Sequence, residues 1–590
     1  AEITYEIDSC EIKGNGIGIL GEHNHIEFSN NVWIWQVTHN VVEGNKRGGF
    51  SIELPKVNLA YQEVFNHSVD VNDTLFYQNE MFEFRVDGFY CNSSVARNRF
   101  LNNKCLLGCI SFTGTEKDID VHDNEVFENE GRYIMEFNMD SHTPYTRIVD
   151  ASVMYNDFKR NKMLNTGSSS PCSSPTSYTV GVKGLQNITL NRNLFSNDLD
   201  FELVAGQSST ELENYLDVTE NYWGSAEQSV IRDKIFDFDD WNNYAIAEYF
   251  PFLTYDSLSS ALSGGTKYYP EFNVGEPIGG RIEESLTLSK DQSPYTVKSD
   301  ISIMPTGSLY IESGVELKFY PNVGILVLGS LTAQGYADER IKFQPVLRSE
   351  QCQAGRVKRQ INVKDRVSEH GSIRLTSEEG HAPNEGFIEL YNATERRWTL
   401  ICDSNFNYET ALVACREMGY DTDNVIVETN RYYDIFVLGY PLMHEQKIEW
   451  FWRNTFICDG RETNLEQCRY KINYDLMQCM DRRDYVFVKC GDRNLAPEYD
   501  YWGNLRFSTP EIEQGAISPG FSVLNHVDIY GAGMLHEDRA AAVQAVYRTP
   551  NTNNVHIMNC AWNGYEFIAP ADEFVVEDNR IENINGYGIG

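Results

Sequence analysis

Asp and Glu are the most numerous charged residues of this chain, 86 compared with 49 Lys and Arg, so their carboxylates are the first candidates for catalysis. Hydrolysis of a glycosidic bond requires two carboxylates roughly 5–10 Å apart. Asp239 and Asp240 form one acidic pair, and His381, Arg340 and Lys342 are the residues that could assist them. Their order along the chain does not place them in one groove, and His381 falls inside a separate cysteine-rich segment. We therefore expect no catalytic residues and no enzymatic activity.

The formal net charge of −37 limits which kinds of molecule this chain is expected to bind. A surface this acidic repels phosphate backbones and anionic lipid, so nucleic-acid and polybasic membrane binding are poor hypotheses. Divalent cations and basic proteins suit it better. No run of about 18 apolar residues occurs, which predicts no membrane insertion within these 590 residues. With 41% hydrophobic residues, the chain is expected to be globular.

The 13 cysteines indicate an oxidising compartment. Six of them fall between residues 402 and 490 without a C-x-x-C pair, which is typical of a disulfide framework and not of a metal site. Five N-x-S/T sequons agree with an extracellular location: Asn66, Asn72, Asn92, Asn187 and Asn392. The pairing of the other seven cysteines stays open: Cys10, Cys91, Cys105, Cys109, Cys172, Cys352 and Cys560.

A short motif recurs along the chain: an aliphatic residue, two others, an asparagine and then an apolar residue. The asparagines are Asn98, Asn124, Asn156, Asn193, Asn221 and Asn579. Because the flanking segments alternate with period two, the repeats predict stacked short strands and not helices. We interpret them as rungs of a right-handed parallel β-helix, whose turns suit asparagine because it tolerates left-handed backbone and can bond the next rung. The alternative is a β-sandwich with scattered asparagines.

The motifs also predict the domain organisation. The β-helix pattern breaks off after Phe343 and resumes near Tyr501, which predicts an inserted domain, because long insertions in loops are tolerated. Asn15-Gly16-Ile17-Gly18-Ile19 resembles Asn585-Gly586-Tyr587-Gly588-Ile589, as expected of a window from a longer tandem array. The predicted order is the end of a first β-helix (1–255), a linker (256–275), the start of a second β-helix (276–348), an exposed linker (349–370), the inserted domain (371–492) and the remainder of the second β-helix (493–590).

The inserted domain carries the most specific signal. Gly371-Ser372-Ile373-Arg374-Leu375, Trp398-Thr399-Leu400-Ile401-Cys402-Asp403 and Cys458-x-Gly460-x-Glu462-x-x-Leu465-x-x-Cys468 follow in order. This segment resembles a scavenger receptor cysteine-rich (SRCR) domain of the six-cysteine type, a small α+β fold. The resemblance implies three disulfides: Cys402–Cys479, Cys415–Cys490 and Cys458–Cys468. The predicted fold class is thus mainly β, with β-helix solenoids and one inserted SRCR domain.

The SRCR resemblance also identifies candidate calcium ligands. Calcium-binding SRCR domains carry two consecutive aspartates after the first cysteine and an acidic residue in the last inter-cysteine loop. Asp403 fills the first place, Ser404 replaces the second aspartate, and Asp484 falls near the third. Since the affinity of a calcium site follows the number of its carboxylates, we expect a weak site or solvated loop carboxylates. No other cofactor is expected.

A basic sequence, Arg356-Val357-Lys358-Arg359, precedes the SRCR domain. Secretory-pathway convertases cut after such sequences, and exposed linkers are favoured cleavage sites. Cleavage after Arg359 and an uncut basic linker are both compatible with the sequence.

The whole architecture resembles a family of large single-pass epithelial proteins of tricellular junctions. The resemblance implies an extracellular adhesion or scaffold fragment of a cell-surface protein that organises occluding (septate) junctions through protein–protein contacts, homophilic or with other junction components. SRCR domains would project from a rigid solenoid as recognition heads. Two alternatives are a polysaccharide-binding or polysaccharide-cleaving β-helix protein and a scavenger-type ligand receptor.

Overall fold

The structure is a computed structural model of the 590-residue chain. It describes residues 2–22, 32–54, 67–88, 91–105, 108–114, 118–138, 149–163, 175, 177–184, 186–206, 215–268, 277–348, 350, 373–376, 384–392, 396–401, 406–431, 452, 454–458, 460, 462–472, 485–491, 499–509, 521–571 and 573–590.

The chain opens with a parallel β-helix of three sheets, in which each strand pairs with the strand one rung away. The nine-stranded sheet contains Glu2–Asp8, Val32–Thr38, His67–Asn72, Cys91–Ala96, Ile119–His122, Val149–Met154, Gln186–Asn191, Tyr215–Asp217 and Ile246–Glu248. The eight-stranded sheet contains Ile17–Glu22, Gly48–Glu53, Phe84–Asp87, Gly108–Thr113, Tyr133–Asn138, Tyr178–Lys183, Phe201–Val204 and Ile235–Phe236. The seven-stranded sheet contains Glu11–Lys13, Val41–Glu43, Leu75–Tyr77, Arg99–Leu101, Glu125–Phe127, Asp157–Lys162 and Leu194–Asp198.

Inward side chains of successive rungs stack on one another to form the core. Phe76 and Phe100 are parallel with ring centroids 4.8 Å apart, and Phe195 stacks on Trp223 at 5.0 Å. All four rings are buried. Stacked aromatic pairs add to the stability that their burial provides. The period-two alternation of residue types in the sequence therefore corresponds to side chains that point alternately into the core and to the surface.

The asparagines of the sequence motif form a continuous buried ladder along the first β-helix. The Asn124 Oδ1 accepts hydrogen bonds from the Asn98 backbone N–H at 2.9 Å and from the Asn98 Nδ2 at 3.1 Å. The Asn98 Nδ2 also donates to the Val71 carbonyl at 2.7 Å. The first ladder consists of Asn40, Thr74, Asn98, Asn124, Asn156, Asn193 and Asn221.

The expectation that these asparagines adopt left-handed backbone is wrong. The positive φ belongs to the residue that precedes each of them, with φ of 54 to 60°: His39, Arg97, Asp123, Tyr155, Arg192 and Glu220. One left-handed residue turns the chain, and the following asparagine then directs its amide toward the neighbouring rung. The ladder therefore selects asparagine for its side-chain hydrogen bonds and not for its backbone.

A second asparagine ladder, which the sequence analysis missed, runs beside the first. It consists of Asn45, Asn79, Asn103, Asn129, Asn161 and Asn197. It ends where the Asn197 backbone N–H donates to the Glu202 carboxylate at 3.0 Å. Two parallel ladders satisfy the backbone groups of both turns that flank the seven-stranded sheet.

A second parallel β-helix follows. Its eleven-stranded sheet contains Ile278–Ile282, Tyr295–Ile303, Glu316–Phe319, Ile325–Val327, Ile341–Pro345, Leu505–Phe507, Val527–Tyr530, Val543–Val546, His556–Met558, Tyr565–Ile568 and Arg580–Glu582. Its six-stranded sheet contains Ser285–Leu288, Ser308–Ile311, Ser330–Gln334, Val523–Asn525, Asn551–Asn553 and Val576–Glu577. Ile341 pairs with Val527, and Ile325 pairs with Leu505. Strands on the two sides of the SRCR segment thus pair with each other, so they belong to one β-helix.

The inserted segment has a different, antiparallel fold. Its five-stranded sheet contains Ile373–Thr376, Glu385–Asn392, Arg397–Leu400, Asp421–Arg431 and Tyr485–Gly491. A helix at Tyr408–Glu417 packs against it and begins where the Asn407 side chain accepts the Thr410 N–H at 3.0 Å. The other short elements are a helix at Gln228–Arg232, 3₁₀ turns at Lys290–Gln292 and Leu465–Gln467, and two-stranded pairs formed by Glu80–Met81 with Lys104–Cys105, Asn454–Ile457 with Arg469–Ile472, and Met534–Leu535 with Asp538–Arg539.

The two β-helices are joined by a buried polar network. The Asp300 carboxylate is fully buried and accepts from the Asn242 and Gly324 backbone N–H groups at 2.8 and 2.7 Å. His536 Nε2 lies 2.6 Å from the Asp300 Oδ2, and the His536 ring stacks on Trp241. Trp241 and Asn242 belong to the end of the first β-helix, so these contacts fix its orientation relative to the second.

Candidate interaction surfaces

The acidic pair Asp239–Asp240 belongs to the junction between the β-helices, where both carboxylates contact arginines. Arg232 Nη2 lies 3.1 Å from Asp237 Oδ1 and 3.1 Å from Asp240 Oδ2. Arg281, on the first strand of the second β-helix, binds Asp239 through Nε at 2.7 Å and Nη2 at 3.2 Å. Burial raises the pKa of Asp240 to about 6, and Arg232 opposes that shift. These residues form a structural ion-pair network.

Two of the other residues weighed for catalysis belong to the second β-helix. Arg340 donates through Nε to Asp528 Oδ1 at 2.7 Å, and Lys342 lies in the strand Ile341–Pro345. His381 lies outside the described residues.

Groups of metal-ligand residue types occur twice among the described residues. Glu83 lies with Cys105 and Cys109, and Glu462 lies with Cys458 and Cys468. Both cysteine pairs are disulfides, so their sulfurs have no thiolate to bind a metal. Asp403 and Asp484, the predicted calcium ligands, lie outside the described residues.

Disulfides stabilise the SRCR domain from within. Cys415 on the helix is bonded to Cys490 on the central strand, and Cys458 is bonded to Cys468. These are two of the three pairs that the SRCR resemblance implies. Cys402 and Cys479 lie outside the described residues, as do Cys172 and Cys352.

In the first β-helix, Cys105 is bonded to Cys109, a pairing that the sequence left open. Cys10, Cys91 and Cys560 are free, and only Cys10 among these three is exposed.

Three sequons lie on one surface of the first β-helix. Asn72, Asn92 and Asn187 belong to strands of the nine-stranded sheet, at outward positions of the alternation. Asn187 is exposed, whereas Asn72 and Asn92 are half-buried. Asn392 ends an SRCR strand and is half-buried, and Asn66 and the dibasic site at Arg359 lie outside the described residues.

The SRCR domain is seated on the second β-helix. Asn424 donates through Nδ2 to the Tyr499 carbonyl at 3.1 Å and accepts from the Tyr501 N–H at 3.2 Å. Beside it, buried Ile426 packs against Met534 and Ala561. We call this contact the SRCR seat. The strand Asp421–Arg431 that forms it is one edge of the five-stranded sheet, and Ile373–Thr376 is the opposite edge.

The seat specifies how the SRCR domain is attached to the β-helix. One edge of the SRCR sheet is held against the solenoid by hydrogen bonds and apolar packing, so the domain is presented in one orientation. No helix among the described residues has the length and apolar character needed to cross a bilayer.

Comparisons with known proteins agree with this architecture. Residues 378–491 match the scavenger receptor cysteine-rich domain family. Over its entire length the chain is 32% identical, in 644 aligned residues, to protein bark beetle of Drosophila melanogaster. It covers 20% of that protein, so it spans about a fifth of this relative's length.

Other proteins are similar to a shorter part of the chain. The egg peptide speract receptor of Strongylocentrotus purpuratus is 31% identical over 106 residues, which are 18% of this chain and 17% of the receptor. Macrophage scavenger receptor types I and II of Bos taurus is 27% identical over 105 residues, 17% of this chain and 18% of that protein. No solved structure matches the chain significantly. The chain is thus related over its full length to a segment of protein bark beetle and carries an SRCR domain, which indicates an extracellular protein of adhesion or receptor type.

Proposed function

We propose that this chain is a rigid adhesion scaffold that organises tricellular occluding (septate) junctions of epithelia, as the family resemblance of its architecture implies. The observation that carries the proposal is the SRCR seat. A recognition domain held at a fixed angle on a long solenoid can present the same surface to neighbouring cells in every copy. Binding surfaces that are preorganised lose less conformational entropy when a partner binds.

Two further features support a scaffold. The asparagine ladders and the network around Asp300 leave little freedom between rungs or between the two β-helices. We also propose that the chain has no hydrolytic activity, because Asp239 and Asp240 are held by arginines. An assay of polygalacturonate depolymerisation tests this second statement, and released reducing ends would contradict it.

The SRCR seat gives the adhesion proposal a direct test. Ile426→Asp places a charge in an apolar contact, and we expect the variant to weaken the seat by roughly 2–4 kcal/mol without unfolding either domain. In epithelial cells that express the complete protein, we expect this variant to reach the surface but to lose its enrichment at cell vertices. Thr463→Asp, at an exposed SRCR position, is the matched control. Normal vertex enrichment of Ile426→Asp, with the seat shown by proteolysis to be open, would refute the proposal.

Glycosylation of the nine-stranded sheet is a separate prediction. Asn187 and Thr189 both point outward from the strand Gln186–Asn191, and Asn187 is exposed, so we expect an N-glycan at Asn187. Asn187→Gln and Thr189→Val should each reduce the mass of the secreted protein by one N-glycan, whereas Thr189→Ser should not. Glycopeptide mass spectrometry measures this directly, and an unmodified Asn187 in the wild-type chain would contradict it.

A further inference from the structure

The six-stranded sheet of the second β-helix has a composition unlike the rest of the chain. Its first five strands, from Ser285–Leu288 to Asn551–Asn553, contain no Asp, Glu, Lys or Arg. The chain as a whole is 23% charged with a net charge of −37. Only the last strand, Val576–Glu577, adds a charge. The surface of the first five strands, which we call the neutral face, therefore lacks charged residues although the molecule as a whole is strongly negative.

The side chains of the neutral face form in-register columns. Thr287, Tyr310 and Thr332 are paired across three adjacent strands, and this column continues through Val523 to Asn551. The residues between them point inward, as buried Leu309 and Leu331 show. Tyr310 is 44% exposed. The face is consequently flat and regular, with hydroxyl and amide groups around an exposed aromatic ring.

A second column runs along the same face. Ser285, Ser308 and Ser330 are paired in register, and the Ser308 hydroxyl donates to the Ser285 hydroxyl at 2.7 Å. Charged residues lie just outside the columns, where the Lys290 ammonium contacts the Glu339 carboxylate at 2.8 Å. A charge-depleted centre with a charged rim is the composition of protein–protein interfaces. None of the five sequons lies in these strands, so no N-glycan is attached to them.

We infer that the neutral face binds the same face of a second copy of this chain. Two copies with a net charge of −37 each repel one another wherever carboxylates face each other. Like charges placed opposite each other across an interface destabilise it, so a face without carboxylates is where two copies approach most easily. A two-fold axis would place the Ser and Thr columns and Tyr310 of one copy against those of the other.

The size of the face predicts the strength of the contact. Its five strands, about 4.8 Å apart and about 12 Å wide, present roughly 300 Å² per copy. Stable complexes bury about 800 Å² per partner, so one such contact is weak. Many weak contacts in parallel produce a strong and reversible attachment. The inference rests on the proposed adhesive function and names its partner, a second copy.

Analytical ultracentrifugation of the glycosylated chain tests the inference. We expect concentration-dependent dimers whose affinity rises as NaCl increases from about 0.05 to about 0.5 M, because salt screens the repulsion between the two acidic copies. A contact made of ion pairs would show the opposite salt dependence. Thr332→Glu places two like charges near the two-fold axis and should weaken dimerisation at least about tenfold. Tyr310→Ser, which adds no charge, should weaken it less.

Ser152→Glu is the matched control, because it adds the same charge at an outward position of the nine-stranded sheet. Its dimerisation should equal that of the wild type. A wild-type chain that stays monomeric at every concentration, a dimer weakened by salt, or equal effects of Thr332→Glu and Ser152→Glu would overturn the inference. Monomeric wild type would leave the adhesion proposal standing, since that proposal is tested by vertex enrichment of the Ile426→Asp variant.

Discussion

Asn103→Ala is expected to lower the free energy of unfolding of the first β-helix by roughly 3–5 kcal/mol. The Asn103 Oδ1 accepts from the Asn79 backbone N–H at 2.8 Å and from the Asn79 Nδ2 at 3.2 Å. Its Nδ2 donates to the Phe76 carbonyl at 3.1 Å. Alanine leaves the buried Asn79 backbone N–H without a partner and also removes the hydrogen bonds to the Asn79 Nδ2 and the Phe76 carbonyl, and each unsatisfied buried group costs about 1–3 kcal/mol. Urea unfolding followed by circular dichroism measures the change.

The neighbouring residue supplies the control. Asn102 is exposed and has a φ of 54°, a conformation that glycine adopts freely. Asn102→Gly should therefore change the free energy of unfolding by less than about 1 kcal/mol. Similar losses in the two variants would show that the ladder hydrogen bonds contribute little and that asparagine content alone matters at this turn.

Arg232→Met is expected to cost roughly 3–5 kcal/mol at pH 8, because it removes the guanidinium that contacts Asp237 and Asp240 in a buried site. Arg281 still neutralises Asp239 in the variant. Arg160→Met is the control. Arg160 pairs with Glu128 on the surface, where an ion pair contributes little. Equal effects of the two substitutions would refute a special role for the buried network.

The Arg232 effect should depend on pH with a definite sign. Burial raises the pKa of Asp237 and raises that of Asp240 to about 6, above the value near 4 of an unfolded aspartate. The folded state therefore binds these protons more tightly, and the contribution of the two carboxyls to stability falls as pH rises from about 4 through about 6. Without Arg232 both pKa values rise further. The difference between variant and wild type should be largest at pH 8 and should shrink at pH 5.

The repeat motif predicted the first asparagine ladder because the ladder is local. A strand, a one-residue left-handed turn and the next strand follow within a few residues, so the motif appears directly in the sequence. Half of the second ladder was missed because the motif was defined with an aliphatic residue three positions before the asparagine. Phe76, Phe100 and Phe158 occupy that position before Asn79, Asn103 and Asn161. A motif that admitted phenylalanine would have added these three asparagines, whereas Asn45 and Asn129 lack the apolar residue that the motif requires after the asparagine.

By itself, the sequence determined the mainly β class, the rung period and the presence of an SRCR domain, because each depends on residue types at short spacing. Only the tertiary structure decided that the strand Asp421–Arg431 is the seated edge of the SRCR domain, and that Arg281 and Asp239 join the two β-helices. These contacts connect residues far apart in the chain. Their partners are chosen by the packing of whole domains, which leaves no periodic pattern in the sequence.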